Sequence, residues 1–248
     1  MSIKITKSRI ASALLLACAP ISAAYADDSW DWSLAPYAWL PAIGTSVTAD
    51  VPPIESDSTT QFSGWAPKLG FTIPLHLEGQ GDDFGILSDI LYLPLSNDRN
   101  GRVFGTKSEF DAGVFELAGV WSPGPVRHDG FEVIGGLRYL WSSLDLKLVP
   151  NNSALPSGKI TIDKSYADFM LGVRYLTKLN DRWGFSARAD GSWGSTDGTY
   201  GATAGFTYAT SNGAWVIGYK YLKLKFSSNN AEANARLYGP EFAYNFNF

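Results

Sequence analysis

From residue 31 onward, apolar and polar positions alternate along the chain. Leu69, Phe71, Ile73, Leu75 and Leu77 are interleaved with Gly70, Thr72, Pro74, His76 and Glu78. Phe169, Leu171, Val173 and Tyr175 alternate with Asp168, Met170, Gly172 and Arg174, and Phe185, Ala187, Ala189 and Trp193 with Ser186, Arg188, Asp190 and Ser192. A period of two belongs to an extended strand, whose side chains point to two faces in turn. Here one face is apolar and the other carries Gly, Ser and full charges. Stretches rich in Gly, Pro, Asn and Asp divide the runs, at 52–58, 79–83, 97–102, 122–130, 150–158, 179–182, 194–199, 211–213 and 227–233. They predict ten strands, near 31–51, 60–78, 84–96, 103–121, 131–149, 159–178, 183–193, 200–210, 214–226 and 234–248. Eight or twelve are the alternatives, because a run can hold two strands or none.

One hexapeptide recurs: GGLRYL at 135–140, LGVRYL at 171–176 and IGYKYL at 217–222. The copies are unequally spaced, which argues against a regular solenoid. Each sets a cation one residue from a tyrosine, so the two fall on opposite faces of a strand.

Alternation fits a soluble sandwich and a membrane barrel equally well, since it gives two faces without saying which is inside. Composition and the chain ends separate them. Aromatics make up 14 % of the 248 residues, with 9 Trp and 25 Gly, a load suited to many short strands. Lys4, Lys7 and Arg9, an apolar run over 10–24, and Ala24-Tyr25-Ala26 before Asp27-Asp28 have the form of a signal peptide cleaved after Ala26. The predicted domains are therefore a signal segment, 1–26, and a single barrel, 27–248. The one cysteine, Cys18, falls in the segment removed; a lipoprotein site at Cys18 is the rival reading, weakened by the apolar run continuing past it. Net charge is −4, which gives no reason to expect a nucleic-acid partner.

In the last strand Arg236, Tyr238, Pro240, Phe242, Tyr244, Phe246 and Phe248 share a face. Phe242, Tyr244, Phe246 and Phe248 resemble the C-terminal signature of bacterial outer-membrane β-barrels. That resemblance implies recognition by the barrel-assembly machinery. WSLAPYAWLPAIGT at 32–45, GLRYL, GVRYL, DRWGFSARADGSWG at 181–194 and WVIGYKYL at 215–222 are similar to one group of small, often uncharacterised outer-membrane barrels, departing from the pattern at Lys220. The resemblance implies an all-β, closed antiparallel transmembrane barrel of even strand number in the cell outer membrane, embedded in its lipid, with no settled substrate.

In such a barrel the cations of the repeats point inward, because Arg or Lys facing mid-bilayer lipid costs roughly 2–4 kcal/mol. Their glycines are expected to leave room beside the long cations. The same parity assigns Arg138, Arg174, Arg188, Lys220 and Lys164 to the lumen, together with Glu116, Glu132, Asp168, Asp190 and Glu241, and with Glu78 and Asp89. Charges in a narrow lumen are expected to pair, since an unpaired buried charge costs several kcal/mol. Trp30, Trp32 and Trp39 are expected to anchor the barrel at the water–lipid boundary.

Candidates for chemistry are few. The histidines are His76, inward by parity, and His128, in a turn with Arg127 and Asp129. There is no spaced His/Cys cluster for a metal, and Gly194–Gly205 precedes no helix that would cradle phosphate. Neither a cofactor nor a catalytic residue is expected. The sequence therefore predicts a structural barrel or a porin-like narrow channel for small polar solutes, with paired charges in its lumen. An outer-membrane enzyme acting on lipid or peptide, and a surface receptor or adhesin, are the alternatives. Oligomeric state and solute are left open. Short loops at both ends predict little exposed apparatus.

Overall fold

The computed structural model describes residues 30–50, 53–100, 104–124, 129–150, 158–228 and 231–248. The chain divides into Met1–Trp30, of which only Trp30 is described, and Asp31–Phe248. The expected signal segment with Cys18, and His128, lie outside the described residues.

Twelve strand segments follow in order: β1 (Asp31–Trp39), β2 (Ala42–Asp50), β3 (Pro53–Thr60), β4 (Leu75–Gln80), β5 (Phe84–Asn100), β6 (Phe104–Trp121), β7 (Gly130–Pro150), β8 (Gly158–Lys178), β9 (Trp183–Gly194), β10 (Thr199–Thr210), β11 (Gly213–Ser228) and β12 (Ala231–Asn247). They make ten staves. β1 and β2 pair with β12 in one register, Trp39 opposite Glu241 and Ala42 opposite Tyr238, so they are one stave interrupted at Leu40–Pro41. β3 and β4 share the next position, β3 beside β2 and β4 beside β1. β5 to β12 follow as antiparallel neighbours, and the β1–β12 pairing closes the ring. That closure leaves no free sheet edge in the part of the wall that contains β1 and β4, the condition for a strand structure to cross lipid; β3, above it, is laddered on one side only, to β2.

The second stave differs from expectation. A continuous strand over 60–78 is replaced by a helical turn at Phe62–Trp65 and a 3-10 turn at Ala66–Lys68, and, apart from a lone bridge between Leu69 and Leu95, ladder pairing resumes at Leu75. The expected 52–58 connection contains β3 instead. The cause is local: Pro67 and Pro74 have no N–H to give a ladder. Trp65 is buried, and its Nε1 donates to the Pro41 carbonyl at 3.0 Å. This segment is stitched to β5 by the Gly70 N–H donating to Pro94 O at 2.7 Å and the Thr72 hydroxyl donating to Tyr92 O at 2.5 Å.

Burial fixes which face is which. Leu137 is 61 % exposed and Phe169 57 %, whereas Arg138 and Asp168 are each 1 % exposed. Apolar side chains of adjacent register point outward and charged ones inward. The outward aromatics form two girdles. One runs through Phe84, Trp121, Phe131, Tyr175, Trp183, Tyr208, Trp215 and Tyr244, beside the tight turns and both ends of Asp31–Phe248. Its rings touch: Phe131–Tyr175 at 4.8 Å, Trp183–Tyr208 at 5.0 Å and Trp215–Tyr244 at 4.8 Å. The other passes Tyr139, Trp141, Trp193, Tyr200, Tyr221 and Tyr238. Phe131 to Trp141 spans ten residue steps along β7, about 25 Å for a tilted strand, which is the height of an outer-membrane apolar band. Strands run on past the girdle only at the end opposite both ends of Asp31–Phe248, which makes the terminal end periplasmic and the other extracellular.

β7 and β8 are each 21 residues long, about twice what the bilayer needs. Their upper halves project as a ribbon with β5 and β6. β11, β12, β2 and β3 project across from them, while β9 and β10 stop at the upper girdle. In the projections the polarity inverts. Leu93, Phe110, Leu144, Leu224 and Ala235 face inward by parity; Lys107, Glu109, Asp145, Lys147 and Asp163 face outward. A segment bathed in water keeps its apolar face inside, as a soluble sheet does. The expectation of little exposed apparatus is thus corrected: the turns are short, but the strands carry on beyond the membrane.

Candidate functional site: the charged lumen

β6, β7 and β9 bring the central charges together. Arg138 donates from Nε and Nη2 to Glu116 Oε1 at 2.8 and 2.6 Å, and from Nη2 to Asp190 Oδ1 at 2.5 Å. Arg188 Nη2 donates to Glu116 Oε2 at 2.8 Å, and its Nε lies 2.9 Å from Asp190 Oδ2 without hydrogen-bond alignment. Two guanidiniums and two carboxylates form a neutral ring. Parity alone explains why all four reach the lumen; the register, Glu116 opposite Arg138, explains why they meet.

A second set runs along the periplasmic half. Gln80 donates to Ser122 at 3.1 Å, and the Ser122 hydroxyl to Glu132 at 3.0 Å. Arg174 donates to Glu132 Oε2 at 2.6 Å and forks onto Glu78, with Nη1 to Oε2 at 2.8 Å and Nη2 to Oε1. His76 stands between carboxylates, Nε2 3.2 Å from Glu78 and Nδ1 3.2 Å from Asp89. Asp89 accepts the Tyr37 hydroxyl at 2.8 Å. Lys220 lies 3.5 Å from that hydroxyl and 3.8 Å from Glu241, over the rings of Tyr37 and Trp39 at 4.9 and 5.5 Å.

Two expected members stand apart. Asp168, though opposite Arg138 in register, serves the β9–β10 turn: it accepts Ser192 Oγ at 3.1 Å, the Thr196 N–H at 3.0 Å and the Thr196 hydroxyl. Lys164 is exposed on the projecting part of β8, beyond the end of β9, so its parity carries it into no closed lumen. Trp39 is corrected as well. It is not a boundary anchor but lies in the lumen, 5 % exposed, its Nε1 donating to Gly239 O at 3.3 Å. The repeat glycines do not make room for the cations either. A Cβ on Gly136 would overlap the backbone of Leu117 and Ala118, and one on Gly218 would come within 2.9 Å of Ala204 O. They admit the neighbouring strand where the wall curves. Tyr37, Gln80, Ser122, Ser192 and Thr196 were not singled out beforehand; Tyr37 shares the inward parity of Ala35 and Trp39, a signal present in the sequence.

The lumen is closed at mid-height. A cavity of about 260 Å³ on the periplasmic side is lined by groups including His76, Glu78, Asp89, Arg174, Lys220 and Glu241. Above it, the space beside the ionic ring measures only about 40 Å³. Tyr37, Trp39, Leu91, Leu222 and Leu237 then pack together, with Leu93, Val114 and Leu224 against them. Beside the cavity, Leu87, Ala118, Val120, Ile134 and Met170 fill the β5–β8 side.

A closed ten-stave ring with apolar side chains outside, ionic groups within and an aromatic girdle at each end is a transmembrane β-barrel of the outer-membrane kind. No family model and no curated protein matches the chain. Among solved structures, it is similar to the outer membrane protease OmpT from Escherichia coli, at 9 % identity and a TM-score of 0.48 over 92 % of this chain and 99 % of that one. It is also similar to the NalP translocator domain from Neisseria meningitidis, at 13 % and 0.38 over 97 % and 96 %. A third likeness is to OprG from Pseudomonas aeruginosa, at 15 % and 0.34 over 88 % and 96 %. At these identities and scores the likenesses carry no argument about function.

Proposed function

We propose that this protein is a non-conducting barrel of the outer membrane, whose lumen is sealed by an ionic ring roofed with apolar side chains. The observation that carries the reading is the continuity of that seal: the neutral Arg138–Glu116–Arg188–Asp190 ring lies under the Trp39, Leu91, Leu222 and Leu237 cluster. A small polar solute would have to displace both layers. Small barrels fill their interiors with side chains, and this ring is how a charged lumen does so. The reading makes no catalytic use of the lumen. Both ring nitrogens of His76 are engaged, Nδ1 by Asp89 and Nε2 by Glu78, so neither faces a substrate.

Planar-bilayer recording on protein that shows the heat-modifiable mobility of a folded barrel tests this. No unit conductance is expected from the unaltered chain. A Trp39→Ala, Leu222→Ala, Leu237→Ala variant that also carries Arg138→Ala, which removes the roof and opens the ring together, is expected to leak small ions, and either change alone is not. Reproducible unit steps from the unaltered barrel would overturn the reading and restore the narrow channel.

A further inference from the structure

Pairing across the extracellular end of the wall places Tyr200, Lys223, Arg236, Gly44 and Thr59 in one transverse row. The outward parity of Trp215, Ile217 and Tyr219 on β11, and of Phe242 and Phe246 on β12, puts Lys223 and Arg236 on the outer face. They are direct cross-strand partners, about 5 Å apart at Cβ, and like charges so placed repel. Lys225, one row further out, lies with its ammonium 5.4 Å from the centre of the Tyr200 ring, adding a third cation.

Elsewhere on this barrel a basic row is neutralised. Lys107, Lys147 and Lys159 are cross-strand partners on the outer face, but Glu109 and Asp145 occupy the adjoining row and Lys159 lies 3.6 Å from Asp145. The Lys223–Arg236 pair has no such partner among the described residues. Asp57, in the next row, is two strands from Arg236, about 12 Å between Cα atoms by sheet spacing. Gly44 sets no side chain between Arg236 and the exposed Thr59 hydroxyl, and a Cβ there would lie 3.8 Å from the Arg236 Cβ.

The height of the row names its counter-ion. Immediately below it, Tyr221 pairs with Tyr238, the upper girdle where rings sit at the level of lipid headgroups. We propose that Lys223 and Arg236, with Lys225 beside them, bind the phosphate of an amphiphile in the outer leaflet. Arg236 presents the planar fork suited to two phosphate oxygens. Lys223 faces it across the strand pair, and Tyr221 and Tyr238 line the apolar part of the lipid below. The Lys147 row lies six residues beyond Trp141, roughly 15 Å further from the bilayer by strand rise, out of a headgroup's reach.

Native mass spectrometry of the full chain, folded in neutral detergent, tests the assignment with three probes: a bisphosphorylated lipid A, its dephosphorylated form and inorganic phosphate. The unaltered barrel is expected to hold one bisphosphorylated lipid at least tenfold more tightly than the dephosphorylated one. Lys223→Gln with Arg236→Gln is expected to abolish that preference, while Lys147→Gln with Lys159→Gln, the same loss of two charges from another cross-strand pair, leaves it intact. Lys223→Gln alone carries a second readout independent of yield. It relieves the like-charge contact, so its urea midpoint rises without lipid, and it loses the increase that bisphosphorylated lipid gives the unaltered barrel. Equal retention of the two lipids, or an equal effect of Lys147→Gln with Lys159→Gln, would overturn the proposal. Displacement of the lipid by equimolar inorganic phosphate would overturn its lipid part.

Discussion

Replacing Arg138 by methionine tests the ionic ring directly. Arg138 is 1 % exposed and is the group that hydrogen-bonds to both Glu116 and Asp190. Without it, two carboxylates share one guanidinium, that of Arg188, and the ring carries a net negative charge in a nearly dry space. Removing one partner of a buried ion pair costs about 3–5 kcal/mol, mostly because the other charge is left uncompensated. That origin makes a second substitution informative. Asp190→Asn added to Arg138→Met leaves the Glu116–Arg188 contact at 2.8 Å as a neutral pair. The double variant should therefore be more stable than the sum of the single losses predicts, by about 1 kcal/mol or more. Equilibrium urea unfolding in lipid vesicles, followed by tryptophan emission and checked by heat-modifiable mobility, measures all four proteins. The reasoning fails if Arg138→Met costs less than about 1 kcal/mol, or if the two losses add within ~0.5 kcal/mol.

Other predictions concern the wall, the turn and the roof. Leu137→Arg, on the lipid face midway between the girdles, should cost about 2–4 kcal/mol. Ser143→Arg, of the same parity but above the upper girdle, should stay within about 0.5 kcal/mol; equal losses by urea titration would deny the inversion of polarity. Asp168→Ala removes the acceptor for Ser192 and Thr196 and should cost about 1–3 kcal/mol. It should also speed amide exchange at residues 195–198 while leaving the rest of the barrel protected, and uniform loss of protection would contradict a local role. In single-tryptophan variants, brominated lipid should quench Trp215, 56 % exposed on the lipid face, and spare Trp39, 5 % exposed in the lumen; matched quenching would return Trp39 to the boundary.

How far the sequence shows these features depends on what each one rests on. Alternation of 2.0 residues gave the staves from Phe84 to Phe248 closely, because each of those strands pairs along its whole length. It failed over 60–74, where Leu69, Phe71 and Ile73 keep the period but Pro67 and Pro74 deny the ladder. Parity also put Arg138, Glu116, Arg188 and Asp190 in one lumen. It could not choose their partners, which follow from register: Asp168 lies opposite Arg138 yet turns to the 195–198 hairpin. The inversion of polarity was legible and went unread. The parity that carries Leu137, Tyr139 and Trp141 continues into Ser143, Asp145 and Lys147, so the outer face changes from greasy to charged within four residues. Trp39 was misread for a related reason: aromatic identity suggested the boundary, while its parity, shared with Tyr37, already pointed inward.

The inversion also bears on why the ring is neutral and roofed. A charge pair gains from its neighbours only where water is scarce, since the same contact is several-fold weaker at high effective dielectric. At the extracellular end, Leu91, Leu222 and Leu237 exclude water from above the ring. At the periplasmic end, the cavity of about 260 Å³ admits it to His76, Glu78 and Lys220. The ring therefore sits at the boundary between a dry half and a wet half. Its exact charge balance is required by the dry side, where one surplus charge would cost several kcal/mol. Loosening the roof would wet the ring and weaken each bond in it, and unpairing the ring would leave charges beneath an apolar lid. Each layer makes the other's removal costly, so a solute path through the lumen would have to open both at once.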